Sequence, residues 1–258
     1  MIRFRFFYTL ILISLILVGQ SLAAIDLKTC VGMWLFDENS GDIAKDSSGK
    51  GNNGKLMNNP KWVKGKIGSA LEFDGKDDWI NIGDNAILKP SSDVTFMAWY
   101  YWVDGYYVLA SGGQTSSTGY AITHEPKDDT IWFGVNTDKK AANTGYIQGT
   151  SRKTWHHLAG SYSDADGKLV AYVDGIPIKT VNTDLKPFNN QWPALHIGKP
   201  NNVDNYYIQG TIDEVAIFNV ALTQNEINTI MTRGLEGSLA VFPSGKLAIK
   251  WGIIKTIP

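Results

Sequence analysis

Short hydrophobic runs recur along the chain from Val31 onward, separated by clusters of Gly, Asn, Asp, Ser and Pro. The runs are rich in Val, Ile, Phe, Tyr and Trp, which suit a pleated sheet. Their close spacing, without helical segments between them, predicts antiparallel pairing in an all-β sandwich. The predicted strands are 31–36, 70–73, 79–82, 94–103, 107–110, 119–123, 130–135, 155–162, 168–173, 176–181, 194–197 and 210–218.

The clearest local prediction is a β-hairpin. Asp174-Gly175 separates two apolar runs, 168–173 and 176–181. Asp-Gly supplies the two positive-φ residues of a type I′ turn, so a tight hairpin is predicted here. Pro177 lacks an N–H, which favours an edge position for the second strand.

One short C-terminal helix is predicted after the strands. Thr223 and Glu226 have the spacing of a capping box, in which each side chain satisfies a free N–H of the first turn. Apolar residues at 227, 230 and 231 form one stripe. Gly234 can adopt the left-handed conformation that ends a helix.

The first 23 residues have the pattern of a secretory signal peptide. Arg3 and Arg5 precede the apolar run 6–18, and small residues at 21 and 23 suit a cut after Ala23. An uncleaved anchor remains the alternative, although the run is short for a bilayer span. We therefore expect a secreted or extracytoplasmic protein with no membrane span after cleavage.

Composition narrows the function classes. With 43% hydrophobic and 19% charged residues among 258, the chain is too apolar to be disordered. Lys+Arg 24 against Asp+Glu 25 argues against nucleic acid as a partner. One cysteine, Cys30, excludes an internal disulfide.

Three ordered segments resemble the laminin G-like, concanavalin A-like jelly-roll superfamily. They are Val-Gly-Met-Trp-Leu-Phe-Asp-Glu with Ala-Leu-Glu-Phe-Asp-Gly, then Trp-His-His-Leu-Ala with Ala-Tyr-Val-Asp-Gly, and finally Gly-Thr-Ile-Asp-Glu-Val-Ala-Ile-Phe-Asn, which also looks pentraxin-like. The resemblance implies two antiparallel sheets of six or seven strands in one jelly-roll domain, 24–235. A hairpin-like tail, 236–258, is expected to follow it.

Asp46 and Asp213 are the candidate metal ligands. Asp46 begins a loop rich in Gly and Asn whose carbonyls could join a carboxylate around Ca²⁺. Members of the resembled family often hold a structural Ca²⁺ near this loop, and the resemblance places Asp213 beside it. The alternatives are a metal-free turn at Asp46 and a buried, hydrogen-bonded Asp213.

Aromatic residues in polar loops are the candidate ligand-binding residues. Sugars bind to flat aromatic faces flanked by amides, and the loops between predicted strands offer both. The alternative is that these rings only shield the loops. The candidates are Tyr106, Tyr107, Trp192, Tyr206 and Tyr207, whereas Trp34, Trp99, Trp132 and Trp155 are assigned to core or half-core positions.

A catalytic alternative rests on Glu72, Asp74 and Asp77. They approximate the acidic strand of laminarinase-type glycosidases, but Gly75 and Lys76 interrupt it. We therefore expect a non-catalytic binding or adhesion module that recognises a glycan or a cell-surface protein. The alternatives are a glycoside hydrolase of the same fold and a purely structural surface component.

Overall fold

The computed structural model describes residues 25–89, 91–112, 119–136, 141–185, 194–201 and 205–240. Predictions for the signal peptide, for Trp192 and for residues 241–258 lie outside these ranges. The strands are β1 Ile25–Asp26, β2 Cys30–Trp34, β3 Ile43–Ala44, β4 Gly54–Met57, β5 Lys61–Lys64, β6 Ser69–Asp74, β7 Trp79–Gly83, β8 Val94–Gly105, β9 Tyr107–Ser111, β10 Gly119–Glu125, β11 Thr130–Asn136, β12 Ala141–Asn143, β13 Trp155–Ser163, β14 Lys168–Val173, β15 Ile176–Asn182, β16 Leu195–Ile197, β17 Ile208–Phe218 and β18 Leu239–Ala240. One α-helix, α1, spans Gln224–Ser238, and short 3₁₀ turns occupy Leu27–Thr29 and Ala86–Leu88.

Within the described residues, the strands form two eight-stranded antiparallel sheets, which confirms the predicted fold class. The first sheet has the order β12-β11-β10-β9-β16-β7-β4-β3. The second has the order β15-β14-β13-β8-β17-β6-β5, and β2 also pairs with β17. Each sheet holds more strands than the six or seven expected. A two-residue parallel pair, β1 with β18, joins the two ends of the described chain.

β17 is the strand that organises the second sheet. It pairs with β8 along one edge, whereas its other edge is shared by β6 and then by β2. Asp213 and Glu214 lie at this change of partner, where the register with β8 shifts. A bulge of this kind re-aims the side chains of its residues.

The main core lies between the two sheets. It includes the fully buried Trp34, Phe36, Phe96, Trp102 and Phe133. Burying one large apolar side chain contributes roughly 1.5–3 kcal/mol, so these aromatic residues are a major part of the driving force for folding.

A second apolar cluster lies beneath α1. Ile227, Ile230 and Leu235 pack there with Cys30 and Phe218. The Cys30 thiol is fully buried, and this burial raises its pKa to about 12, so the thiol is unreactive.

The predicted capping box and hairpin are confirmed, whereas the predicted end of the helix at Gly234 is wrong. Thr223 and Glu226 form the capping box, but Gly234, with φ of 76° and ψ of 165°, is a kink after which one further turn continues to Ser238. Asp174 and Gly175 have φ of 50° and 73° in the turn between β14 and β15. β15, which contains Pro177, lies at the edge of the second sheet.

All twelve predicted strands are present, with ends shifted by at most two residues. The pattern missed short strands such as β3, β4, β5 and β12. In the predicted tail, residues 236–238 complete α1 and Leu239–Ala240 form β18. Among the described residues, no helix combines the length and apolarity required to span a bilayer.

Candidate functional site

A pocket of about 330 Å³ opens on the face of the first sheet that points away from the core. Ile131, Phe133 and Val135 enter the core, so Trp132 and Gly134 between them point outward. We call this cavity the aromatic pocket. Its lining residues are Tyr106, Tyr107, Ser111, Gly112, Gly119, Tyr120, Ala121, Thr123, His124, Glu125, Trp132, Asn136, Tyr146 and Tyr206.

Small residues make room for the pocket on the sheet surface. Ala121 of β10 pairs with Gly134 of β11 and with Ala110 of β9, so three small residues lie side by side. A Cβ on Gly134 would lie 2.0 Å from the Trp132 ring, so the indole lies directly over this glycine. Trp132 is only half-buried and therefore presents part of its ring to the pocket.

Tyrosines form the wall of the pocket. The rings of Tyr106 and Tyr206 meet edge to face, with centroids 4.7 Å apart. Tyr206 has a φ of 101°, which is an uncommon and costly conformation for a bulky residue. Tyr107 is buried at the base, whereas Tyr146 is 60% exposed. The wall thus combines buried and accessible rings.

The described part of the pocket lining has few charged side chains of either sign. Among its described lining residues, Glu125 is the one acidic side chain, and there is no Lys or Arg. Burial lowers the pKa of His124 to about 3, so its imidazole is uncharged at neutral pH. Burial, with Glu125 nearby, raises the pKa of Tyr106 and of Tyr146, so their hydroxyls keep their protons.

His124 is part of the scaffold beneath the pocket. Its Nδ1 lies 2.6 Å from the Tyr100 hydroxyl, and its Nε2 lies 3.2 Å from Thr150 Oγ1. Its ring stacks on Trp102 with centroids 3.7 Å apart. Both ring nitrogens are therefore engaged in the fold.

Asn136 is also a lining residue of the pocket. Its Oδ1 is enclosed and has no hydrogen-bond partner among the described residues. Asn136 also lies at the end of β11, where the sheet meets the pocket rim.

The structure brings together three of the five predicted aromatic residues: Tyr106, Tyr107 and Tyr206. Tyr207 instead lines a neighbouring cavity, where Lys199 Nζ lies 5.5 Å from its ring. The sequence analysis missed Tyr146 and assigned Trp132 to the half-core. The outward register of Trp132, between core-facing neighbours, was the signal that could have identified it.

The two predicted metal ligands contact different backbone segments. Asp46 accepts hydrogen bonds from three amides, those of Met33 (3.1 Å), Ser48 (2.9 Å) and Asn52 (2.8 Å). Both of its oxygens are thus engaged, which suits a turn better than a metal ligand.

Asp213 is fully buried, and its Oδ2 accepts from the Ile67 amide at 3.0 Å. Within the described chain its Oδ1 has no hydrogen-bond partner. Burial, with Glu214 adjacent, raises the pKa of Asp213 to about 7. The chemistry of Asp213 therefore fits a cation ligand better than that of Asp46.

The acidic residues of the catalytic alternative lie on the second sheet. Glu72 and Asp74 are both exposed on one face of β6, and with Asp78 they line a cavity of about 600 Å³. Asp77 follows a turn at Gly75, whose φ is 78°, so it does not extend the strand. Glu72 is not among the lining residues of the aromatic pocket, but Asp74 lines the neighbouring cavity, which shares Tyr106 and Tyr206 with that pocket.

A hydrogen-bonded chain joins Ser151, His156 and Asp174. His156 Nδ1 lies 2.7 Å from Asp174 Oδ2, and Ser151 Oγ lies 3.2 Å from His156 Nε2. The order matches a hydrolase triad. However, the Ser151 amide also donates to Nε2, and exposed Ser151 is not part of the described pocket lining. We assign the chain to anchoring the loop on the β14–β15 turn.

Comparisons with known proteins agree with this architecture. A family model described as the concanavalin A-like lectin/glucanases superfamily matches residues 74–228. No curated protein matches the sequence significantly.

Solved structures with a similar fold include domain 4 of AbnA, a GH43 extracellular arabinanase from Geobacillus stearothermophilus, in complex with arabinotriose. It is 19% identical, with a TM-score of 0.64, over 78% of this chain and 97% of that domain. The binding domain of botulinum neurotoxin DC in complex with rat synaptotagmin II is 15% identical, with a TM-score of 0.59, over 80% of this chain and 52% of that one. Trypanosoma rangeli sialidase in complex with sialic acid is 16% identical, with a TM-score of 0.58, over 81% of this chain and 33% of that one.

Proposed function

The chain belongs to the concanavalin A-like lectin/glucanase superfamily, and on that premise we propose that it is an exported, non-catalytic glycan-binding module. The observation that carries the proposal is the aromatic pocket, in which accessible rings surround polar groups. Sugars are bound by stacking of their C–H faces on aromatic rings and by hydrogen bonds to their hydroxyls. The arabinotriose complex of a domain with this fold supports the same class of ligand.

The lining residues of the aromatic pocket include the kinds of group that bind sugars. Trp132 supplies a flat face, and the tyrosine hydroxyls can both donate and accept hydrogen bonds.

A non-catalytic role is supported by the distribution of carboxylates. Glycoside hydrolysis generally requires two carboxyl groups flanking the scissile bond. Among its described lining residues the aromatic pocket has one, Glu125, while Asp74 lines the neighbouring cavity and Glu72 lines neither of the two. Purified protein should therefore release no reducing sugar from β-glucans. Hydrolysis that Glu72→Gln abolishes would contradict the proposal.

Export is supported by the sequence of residues 1–23, which has the charge, apolar run and small residues of a signal peptide. We propose that glycans outside the cytoplasm are the targets. Amino-terminal sequencing of exported protein should find Ala24 first. Retention of Arg3 and Arg5 would instead favour the anchor.

Binding is tested with a glycan array, followed by calorimetry on the best ligand. Trp132→Ala should weaken binding at least about tenfold, or ~1.4 kcal/mol, because it removes the stacking face. The matched control is Trp155→Ala, which removes a half-buried indole that contacts Tyr101 on the second sheet. Equal losses in both variants, or no binding by the wild type, would overturn the proposal.

A further inference from the structure

We infer that the aromatic pocket selects neutral or amino-bearing sugars and rejects sugars that carry a carboxylate or sulfate, with Glu125 as the specificity-determining residue. This inference rests on the proposed function, because it names the ligand class of the same pocket. It is carried by the charges of the described lining residues and by the acceptor capacity of Glu125.

The first observation is that the described lining residues include one acidic side chain but no Lys or Arg. That acidic side chain is Glu125, and His124 is uncharged at neutral pH. Burial raises the pKa of Tyr107 to about 12, so this residue also remains a neutral hydroxyl. A sugar carboxylate would thus meet a like charge with no positive partner.

Two described cations near the pocket, Arg152 and Lys199, are engaged in other interactions. Arg152 Nη2 lies 2.7 Å from Asp129 Oδ1 and 2.6 Å from the Pro126 carbonyl, and its guanidinium stacks 4.2 Å above Trp102. Lys199 is buried, with Nζ 4.7 Å from the Trp79 ring centroid. Redirecting either group toward a ligand would break these interactions.

The second observation is that Glu125 keeps free acceptor capacity. Among the described residues, one of its side-chain oxygens accepts a long 3.3 Å contact from the Lys127 amide. Sugar hydroxyls and ammonium groups donate hydrogen bonds, whereas carboxylates and sulfates only accept them. An ammonium would also form a charge-assisted hydrogen bond with Glu125.

The test uses pairs of glycans on one array that differ only in charge. Each pair compares a neutral parent with its sialylated or sulfated derivative, and chitotetraose with its deacetylated form. Wild-type protein should bind neutral parents at least about tenfold more tightly than their anionic derivatives, and deacetylated chitotetraose at least as well as chitotetraose. Added salt should reduce the discrimination because it screens charge.

The role of Glu125 is tested with Glu125→Gln, which keeps the shape of the side chain and removes its charge. We expect the neutral-to-anionic ratio to fall at least threefold in this variant. The matched control is Glu72→Gln, on an exposed face of the second sheet, which should leave the ratio unchanged.

The outcomes separate the two proposals. Absence of binding to every glycan would overturn the proposed function and, with it, this inference. Binding of anionic derivatives as tightly as their neutral parents would overturn the inference alone and leave glycan binding standing. An unchanged ratio in Glu125→Gln would remove Glu125 as the determinant.

Discussion

Gly134 fixes the position of the Trp132 ring, because the ring occupies the space that a side chain at position 134 would fill. An added Cβ would meet three indole carbons at 2.0–2.6 Å, which is closer than real contacts allow. Gly134→Ala should therefore push the ring outward and weaken glycan binding roughly tenfold. Calorimetric titration with the best array ligand measures this loss.

The stability of Gly134→Ala should change far less than its affinity, since the half-buried indole can move toward solvent. Gly237→Ala is the control, because its added Cβ meets its nearest atom at 3.6 Å, an ordinary contact. Unchanged affinity in Gly134→Ala would show that the position of the indole is immaterial to binding.

The residues of the pocket were only partly predictable. Tyr106, Tyr107 and Tyr206 could be identified because they combine aromatic character with polar loop neighbours. Glu125 and Tyr146 are 21 positions apart in sequence, so their convergence depends on pairings that a local pattern does not encode. Trp132 was assigned to a core or half-core position, and it is indeed half-buried, but it lies on the outer face of the first sheet and lines the pocket there.

At the scale of elements, the β14–β15 hairpin depends on Asp174. Its carboxylate accepts from the His157 amide at 2.8 Å and contacts His156 Nδ1 at 2.7 Å, while its backbone has a φ of 50°. Asp174→Ala should lower the free energy of unfolding by about 1–3 kcal/mol, because it leaves these donors unpaired. Urea denaturation measures the difference.

Two further variants test how the Asp174 side chain stabilises the hairpin. Asp174→Asn should cost less than Asp174→Ala, because asparagine also tolerates the positive φ and retains one acceptor. Ser151→Ala, at the exposed end of the same chain of hydrogen bonds, should cost under about 0.5 kcal/mol. A larger loss from Ser151→Ala than from Asp174→Ala would reverse our assignment of this chain.

The elements that could be predicted are those with a local cause. The hairpin at Asp174-Gly175 and the capping box at Thr223 follow from residues within a few positions of one another. In contrast, β4 (Gly54–Met57) and β5 (Lys61–Lys64) are short and contain lysines, and they are strands because β7 and β6 pair with them. In β4, Lys55 pairs with Asn81, which is a long-range contact, whereas β5 forms a hairpin with β6 that its short, lysine-containing pattern conceals.

At the scale of the whole molecule, buried histidines should make stability fall in acid. Burial lowers the pKa of His124 to about 3, and of His157 and His196 to about 4. The unfolded chain takes up these protons near pH 6.5, whereas the folded chain does not, so this contribution is present above pH 6.5 and is lost as pH falls toward 3–4.

The test compares urea unfolding at pH 7.5 and pH 5 for the wild type and His124→Gln. The variant should lose less stability than the wild type on acidification, by on the order of 1–2 kcal/mol. Taking the difference between the two proteins cancels the contributions of the other titrating groups. One of these is Glu214, whose raised pKa favours the folded state as the pH falls. Parallel losses would show that His124 does not contribute.

The last whole-molecule prediction concerns calcium. A cation at Asp213 would stabilise the point on β17 at which the pairing partner changes from β6 to β2. Asp213 Oδ1 is buried without a partner in the described chain, and ionising this carboxylate is costly without a cation. Binding would stabilise the fold by about 2.7 kcal/mol at a hundredfold excess over Kd. The melting temperature should therefore rise in Ca²⁺ and fall in chelator.

Two variants separate the predicted ligands. Asp213→Asn should blunt the calcium shift. If one Ca²⁺ ion is bound by both Asp46 and Asp213, as predicted, Asp46→Asn should also reduce the calcium shift. If Asp46 only accepts hydrogen bonds from its three amides, the variant should lower the melting temperature equally in Ca²⁺ and in chelator. The second pattern would place the cation at Asp213 without Asp46. Identical wild-type melting temperatures in Ca²⁺ and in chelator would exclude a Ca²⁺ site at these residues and would identify Asp213 as a buried structural carboxylate.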